Sequence, residues 1–225
     1  MGQNRLTAVS AGIFFIIATA MGVLNAGMIG PLIGSATFLT GMAESADLVM
    51  VSVLLNTIMA GSVVAIAVAL YPVLKRTSET LAIGYLAARI MEGIVLGIGG
   101  IIWLALVSLG HGFVEAGTPE ASHYQALGGV LVSLSTSAFT LGAEIVFGVS
   151  ALVLNALLFK ATLVPKWIAI WGFIGGALLL TLGVMKIVGL PFAAVEIAFT
   201  APIALNEMVL AIWLIFKGLN LANLE

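Results

Sequence analysis

Arg89, Glu92, Glu144 and Glu207 lie inside stretches of this sequence that are otherwise almost entirely apolar. In the run AARIMEGIV, residues 87–95, Arg89 and Glu92 are three residues apart and therefore share one face of a helix. Each charge at the centre of a bilayer costs at least about 2.5–3.5 kcal/mol. We therefore expect the four side chains to point away from lipid and to meet inside the protein.

The depth of each charged residue follows from its distance along the chain to the nearest charged residue at the inner end of its helix. At about 1.5 Å per residue, Arg89 and Glu207 both lie about 15 Å deep, Glu92 about 20 Å and Glu144 about 24 Å. The matching depths predict a contact between Arg89 and Glu207. Alternatively, Arg89 pairs with Glu92, or holds both carboxylates with its planar fork of donors.

In this interpretation one arginine faces three glutamates, which leaves a surplus of negative charge. Two neighbouring carboxylates cannot both stay ionised cheaply in a low-dielectric site, so a proton, a metal cation or a cationic ligand must compensate them. We predict that Arg89 and Glu207 form a fixed central pair and that Glu92 and Glu144 carry the exchangeable proton or ion. Asn56 and Asn206 are predicted to complete the polar lining of the site.

Signatures of enzymes are absent from the sequence. It contains no G-x-S-x-G, H-E-x-x-H or P-loop motif and no cysteine, and both histidines, His111 and His123, lie in one loop. We therefore lean against an enzyme and predict no catalytic residue, no cofactor and no dedicated metal site. The net charge of −2 and the lack of a basic patch argue against a nucleic-acid partner.

The composition predicts an integral membrane protein with a single transmembrane domain, residues 1–225. The chain is 62% hydrophobic and 8% charged, whereas soluble domains carry about 25% charged residues. A spanning helix needs about 20 mainly apolar residues. We predict an all-α bundle of six such helices, roughly at residues 7–29, 48–73, 80–109, 136–159, 166–188 and 193–216.

Two stretches outside these helices are apolar but not long enough to span. Residues 30–47, GPLIGSATFLTGMAESAD, are short and rich in small residues, which favours a short re-entrant or interfacial segment. Residues 124–136 either lie at the interface or lengthen the fourth helix. We interpret residues 7–29 as a retained first helix because the apolar run is long for a signal peptide.

Small residues recur at four-residue spacing on two of the predicted helices. Gly93 and Gly97 form one such pair, and Gly172 and Gly176 form another. This spacing lets transmembrane helices approach closely, so we expect both pairs to serve packing.

The positive residues predict the orientation of the bundle. Six of them fall on one side: Arg5, Lys75, Arg76, Lys160, Lys166 and Lys217. The other side receives Glu44, Asp47, Glu115 and Glu120, with Lys186 near its edge, where we expect it to pair with Glu196. By the positive-inside rule, both termini are predicted to be cytoplasmic.

Three runs of this sequence resemble a bacterial membrane family, domain of unknown function 4386. They are LKRTSETLAIGYLAARIMEGIV, LLFKATLVPKWIAIWGFIGGA and LNEMVLAIWLIFKGLN. The most specific parts are Arg89 with Glu92, the turn at residues 164–167, and Glu207 with the ending at residues 213–218. The resemblance implies a multi-pass protein of the bacterial inner membrane and implies no activity.

These observations favour one function and leave two alternatives open. The leading hypothesis is binding or translocation of a proton, a small cation or a cationic solute through a carboxylate-rich core. The first alternative is a membrane sensor or helper subunit whose charge network is purely structural. The second is a membrane enzyme that acts on a lipid or quinone, with Glu144 or Glu92 as acid or base. Beyond the lipid bilayer, the partners expected are that ligand and a second copy or another membrane protein.

Overall fold

The computed structural model describes residues 3–119 and 123–222, so Glu120 lies outside the described residues. Within these ranges every regular element is a helix. The elements are α1 (Gln3–Ile33), α2 (Phe38–Glu44), α3 (Ala46–Leu74), α4 (Glu79–Glu115), α5 (His123–Phe139), a π-helical segment (Thr140–Val146), α6 (Phe147–Lys160), α7 (Lys166–Ile187) and α8 (Glu196–Phe216).

Six helices in the described part of the chain are long and apolar enough to cross a membrane, which confirms the predicted all-α bundle. They are α1, α3, α4, α7, α8 and the continuous helix that α5, the π-helical segment and α6 form over residues 123–160. Because successive spans run in opposite directions, Arg5, Lys75 and Lys160 lie at one end of the bundle, the basic end. Glu44 and Glu115 lie at the other, the acidic end.

The third and fourth spans are longer at the acidic end than the hydropathy pattern predicted. α4 continues to Glu115, and residues 124–136 lengthen the fourth span instead of lying beside it. Packing between these extensions explains the difference, because the rings of Phe113 and Tyr124 lie 6.2 Å apart. Helix ends that contact each other stay ordered beyond the apolar region that hydropathy detects.

The stretch at residues 30–47 folds as the end of α1, the short helix α2 and the first residues of α3. Leu39 and Met42 of α2 are buried, and α2 packs on the last turns of α4. Gly110 allows this contact, since the carbonyl oxygen of Leu39 occupies the space that a side chain at Gly110 would need. The segment therefore covers the acidic end of the bundle with a short helix.

The six spans form a closed ring. Each packs on the next in the order α1, α3, α4, α6, α7 and α8, and α8 packs on α1 again. In this order α4 stands opposite α8, so side chains from these two helices that point inward meet at the centre of the ring. The helix α5 packs mainly on α4.

Packing differs between the two ends of the ring. At the basic end a single apolar cluster takes residues from all six spans, including Phe15, Leu70, Tyr85, Leu158 and Leu214. Towards the acidic end the core divides into two clusters, one built from α1 to α4 and one from α6, α7 and α8. The bundle is therefore closed at its basic end and divided at its acidic end.

A side chain at the start of α1 ties the basic end together. The guanidinium of Arg5 donates hydrogen bonds to the carbonyl oxygens of Leu214 (3.2 Å), Ile215 (2.5 Å) and Phe216 (3.3 Å). These carbonyls belong to the last turn of α8 and lack partners within their own helix. A cation at a helix C-terminus also interacts favourably with the helix dipole.

Three of the four glycines at the predicted spacings lie at helix contacts. A Cβ at Gly93 would lie 3.0 Å from the carbonyl oxygen of Ala60 on α3 and 3.0 Å from the side chain of Val64. Gly172 and Gly176 face α6 in the same way, whereas a Cβ at Gly97 would meet no atom within 4 Å. Gly93 therefore sets the distance between α3 and α4, and Gly97 does not.

We expect Gly93→Ala to lower the stability of the bundle by about 1–3 kcal/mol, because the added methyl group forces α3 and α4 apart. The matched control is Gly97→Ala, which makes the same change one turn away without a close contact. Thermal unfolding of the detergent-purified variants measures both. Equal midpoints for the two variants would contradict the close contact at Gly93.

Candidate functional site

Arg89 lies at the centre of the ring and holds two carboxylates. Its Nη1 is 2.9 Å from Oε2 of Glu92 on the same helix, and its Nη2 is 3.4 Å from Oε1 of Glu207 on α8. Arg89 and Glu92 are 2% and 3% exposed. The structure thus contains the expected contact between Arg89 and Glu207. It also contains the contact with Glu92, so the guanidinium holds both carboxylates, which was one of the predicted alternatives.

Local sequence and ring geometry together explain this central cluster. Arg89 and Glu92 are three residues apart on α4, so both side chains reach the same inward face. Glu207 comes from α8, the helix opposite α4, and therefore approaches from the other side of the ring. The salt bridge between Arg89 and Glu207 spans the interior of the bundle.

Two aromatic residues that the sequence analysis did not include complete the surroundings of Arg89. Its Nε donates to the hydroxyl oxygen of Tyr85 at 3.3 Å. Its guanidinium carbon lies 4.7 Å from the ring centroid of Phe147 at the start of α6, a cation–π contact. Tyr85 is four residues before Arg89, so helical spacing could have identified it, whereas no local signal pointed to Phe147.

Glu144 lies in a second cluster near the acidic end, with Lys186 and Glu196. Lys186 Nζ is 2.5 Å from Oε1 of Glu144 and 2.7 Å from Oε1 of Glu196. The pair of Lys186 and Glu196 was expected, but the contact with Glu144 was not. The expectation that three glutamates share Arg89 is therefore wrong, because Lys186 near the end of α7 provides Glu144 with a second positive charge.

The π-helical segment explains how Glu144 reaches this position. It spans Thr140–Val146, and its i→i+5 hydrogen bonds place more residues in one turn than an α-helix has, which shifts the angular position of the side chains around the fourth span. Gly183 on α7 allows the approach, since a Cβ there would lie 3.0 Å from Cβ of Glu144. Such bulges occur frequently at functional sites, and hydropathy carries no signal for them.

The two clusters have the same balance of charge. Each joins one cation to two carboxylates, Arg89 with Glu92 and Glu207, and Lys186 with Glu144 and Glu196. With all groups ionised, each cluster carries a formal charge of −1. In the Lys186 cluster, Oε2 of Glu144 is buried and has no hydrogen-bond partner among the described residues.

A large cavity is lined by Lys186 and Glu196 of the second cluster and by no residue of the Arg89 cluster. It has a volume of about 800 Å³ and lies between α5, the π-helical segment and the facing ends of α7 and α8. Its walls include Lys186, Glu196 and four hydroxyl side chains, those of Ser133, Thr136, Ser137 and Thr140. Several of its lining residues are exposed, so the cavity opens at the surface of the bundle.

Asn56 and Asn206 do not line either cluster, contrary to the expectation. The side-chain amide of Asn56 donates to the carbonyl oxygen of Leu96 at 2.7 Å, which links α3 to α4. That of Asn206 donates to the carbonyl oxygen of Ile168 at 2.8 Å, which links α8 to α7. Both are buried helix-to-helix contacts, because an unpartnered amide inside the membrane would cost free energy.

Among the described residues, no group of three or more histidine, aspartate or glutamate side chains is arranged to hold a metal ion. The ionisable groups of the two clusters are four carboxylates, one guanidinium and one ammonium. Such groups bind cations and protons, orient dipoles and hold helices together.

We expect Arg89→Met to destabilise the protein by about 3–5 kcal/mol, because Glu92 and Glu207 are left buried without a cation. The triple variant Arg89→Met, Glu92→Gln, Glu207→Gln removes the uncompensated charges and is expected to recover most of that loss. Lys160→Met, at the exposed basic end of α6, serves as the control for loss of a positive charge.

Thermal unfolding and the yield of monodisperse protein compare these variants. A triple variant as unstable as Arg89→Met would show that packing of the arginine side chain, and not charge compensation, stabilises the centre of the ring.

Comparison with known proteins identifies one family. The family model described as Domain of unknown function (DUF4386) matches residues 10–218, a range that contains both charge clusters. No curated protein and no solved structure matches the chain significantly. The resemblance seen in three stretches of the sequence is confirmed, and the chain belongs to the DUF4386 family of multi-pass helical membrane proteins.

Proposed function

We propose that this protein binds a small cation, a proton or a small cationic solute at the Lys186 cluster. A single observation carries the proposal: Oε2 of Glu144 is buried without a partner, beside a lysine that lines an open cavity. A buried carboxylate oxygen without a partner favours a positively charged or proton-donating group.

The balance of charge supports the same ligand class. Lys186 neutralises one of the two carboxylates that it contacts, so a second positive charge completes the cluster. The cavity brings such a ligand past Glu196 and a wall of hydroxyl groups, which coordinate cations through oxygen. An anion would meet a net negative charge at this position.

The two clusters have different roles in the proposal. Glu144 is the exchangeable carboxylate, whereas Glu92 is held by Arg89 in the closed centre of the ring. This changes the expectation from the sequence, in which both Glu92 and Glu144 exchange. The apolar cluster at the basic end involves all six spans and closes that end of the bundle. This conformation therefore supports binding from the acidic end. Translocation would need a second conformation in which the basic end opens.

In this proposal Arg89 has a structural role: it holds the helices of the central cluster together and does not bind the ligand. Its guanidinium is surrounded by two carboxylates, a hydroxyl and an aromatic ring. A helper or sensor subunit with a purely structural charge network would have the same centre. Binding to a second copy of the chain or to another membrane protein stays a prediction.

For location, we propose the bacterial inner membrane with the basic end and both termini in the cytoplasm. The distribution of lysine and arginine supports this orientation. The acidic end, with the cavity beside Lys186, then faces the outside of the membrane.

The Glu144 site predicts a specific response to cations. We expect one member of a panel of Li⁺, Na⁺, K⁺, guanidinium and tetramethylammonium to raise the unfolding temperature of the purified protein. At a concentration of about 100 times Kd, the gain is about 2.7 kcal/mol. Glu144→Gln removes the buried charge and is expected to abolish this gain.

Glu115→Gln is the matched control, since it removes one exposed carboxylate at the same end of the bundle. Uptake of protons by the wild type on acidification, reduced in Glu144→Gln, identifies the proton as the ligand. Responses to cations and to protons that are identical in the wild type and Glu144→Gln would contradict the proposal.

The orientation is tested with single cysteines, because the chain has none of its own. We expect a membrane-impermeant maleimide to label Glu115→Cys in intact bacteria and to label Lys160→Cys only after lysis. Both positions are exposed at opposite ends of the bundle. The reverse pattern would place the basic end outside.

A further inference from the structure

A second cavity lies beside α5, on a face that adjoins the cavity of the Lys186 cluster, and Thr136 lines both cavities. It has a volume of about 210 Å³ and is bounded by α1, α3, α4 and α5. Its walls are mostly apolar and include Ile29, Met59 and Phe139. The residues that line it include no ionisable side chain, so any ligand that fits is largely uncharged where it contacts the protein.

A buried amide oxygen in this cavity has a defined orientation and no partner. Asn56 must present its NH₂ group to the carbonyl oxygen of Leu96, so its own Oδ1 faces Asn25. Asn25 therefore points its NH₂ group at Asn56, with a distance of 3.4 Å. This leaves Oδ1 of Asn25, a residue 4% exposed, as an acceptor without a hydrogen bond among the described residues.

A buried donor lies in the same cavity. Nε1 of Trp103 on α4 has no hydrogen-bond partner among the described residues. Buried polar atoms in proteins are almost always paired, so an acceptor without a donor and a donor without an acceptor in one cavity indicate a ligand that carries both groups. No sequence pattern distinguishes Asn25 from the other polar residues of the spans.

The two unpaired atoms, Oδ1 of Asn25 and Nε1 of Trp103, restrict the chemical class of the ligand's head group. A quinone offers only acceptors and leaves Oδ1 of Asn25 unpaired. A carboxylate or phosphate brings a negative charge that no lining residue compensates. A hydroxyl group donates to Oδ1 of Asn25, and a neighbouring ester or hydroxyl oxygen accepts from Nε1 of Trp103.

The depth of the cavity fits a lipid. Asn25 follows Arg5 by 20 residues, which is about 30 Å along α1 and places it near the far boundary of a hydrocarbon core of about 30 Å. Glycerol groups of lipids lie at this level. The apolar walls then contact the first part of the acyl chains.

We propose that the cavity between α1 and α5 binds a neutral lipid with a free hydroxyl group, of the acylglycerol class. Asn25 accepts the hydroxyl hydrogen bond, and Trp103 donates to an ester oxygen. The residues that line the cavity do not include Glu144 or Lys186, so its test is separate from the test of cation binding.

The test uses the full-length protein in lipid nanodiscs and a diacylglycerol with a photoactivatable diazirine in one acyl chain. Its methyl ether, in which the free hydroxyl is capped, is the matched probe. We expect the hydroxyl probe to label peptides of α1 or α5 about fivefold more than the ether, the ratio that one hydrogen bond supplies. Excess unlabelled diacylglycerol is expected to compete.

Three variants assign the labelling to the cavity. Asn25→Leu removes the acceptor and is expected to bring the ratio of hydroxyl to ether labelling close to one. Gly30→Leu fills the cavity, since no atom lies within 4 Å of a Cβ there, and is expected to abolish labelling by both probes. Gly61→Leu makes the same change on α3 in open space away from the cavity and is expected to label as the wild type does.

If Asn25→Leu does not fold, Trp103→Phe provides a second test. This variant removes the donor to the ester oxygen that both probes carry, so we expect reduced labelling by both probes. Equal labelling of the wild type by the hydroxyl and ether probes overturns the proposal. So does undiminished labelling of Gly30→Leu.

Discussion

The buried guanidinium of Arg89 is the constraint on which the arrangement of this bundle depends. An isolated charge in hydrocarbon is far too costly to tolerate, so α4 and α8 must present their carboxylates to the same point. Glu92 comes from the helix that carries Arg89, whereas Glu207 comes from the opposite side of the ring. The six apolar helices could otherwise pack in many orders, because lipid and apolar side chains are chemically similar.

Depth along the membrane was predictable from the sequence, and direction around each helix was not. The rise per residue fixes depth, which is why the contact between Arg89 and Glu207 and the six spans followed from counting. Direction depends on packing with other helices and on the winding of the helix itself. The π-helical segment turns Glu144 towards α7, and Lys186, assigned to an outer edge, extends its long side chain back to meet it.

The dependence of side-chain direction and helix length on packing also explains why the asparagines and the helix ends differ from the predictions. Asn56 and Asn206 have depths compatible with the charged site, but both face neighbouring backbone carbonyls. Asn25 was missed because only its contact with Asn56 gives it significance. The ends of α4 and α5 extend beyond the apolar runs because they pack against each other, an interaction between segments that a local pattern does not contain.

The identity of the two cations agrees with a fixed centre and an exchangeable periphery. Arg89 has a planar set of donors, and two carboxylates and a hydroxyl already occupy it in separate directions. Replacing any of these partners would leave a rigid donor unpaired. Lys186 has a compact ammonium on a flexible stem, so it can shift between Glu144 and Glu196 with only rotation about single bonds. The lysine also borders an open cavity, whereas the arginine is almost completely buried. Charge chemistry and burial therefore both support the proposal that exchange takes place at the acidic end of the molecule.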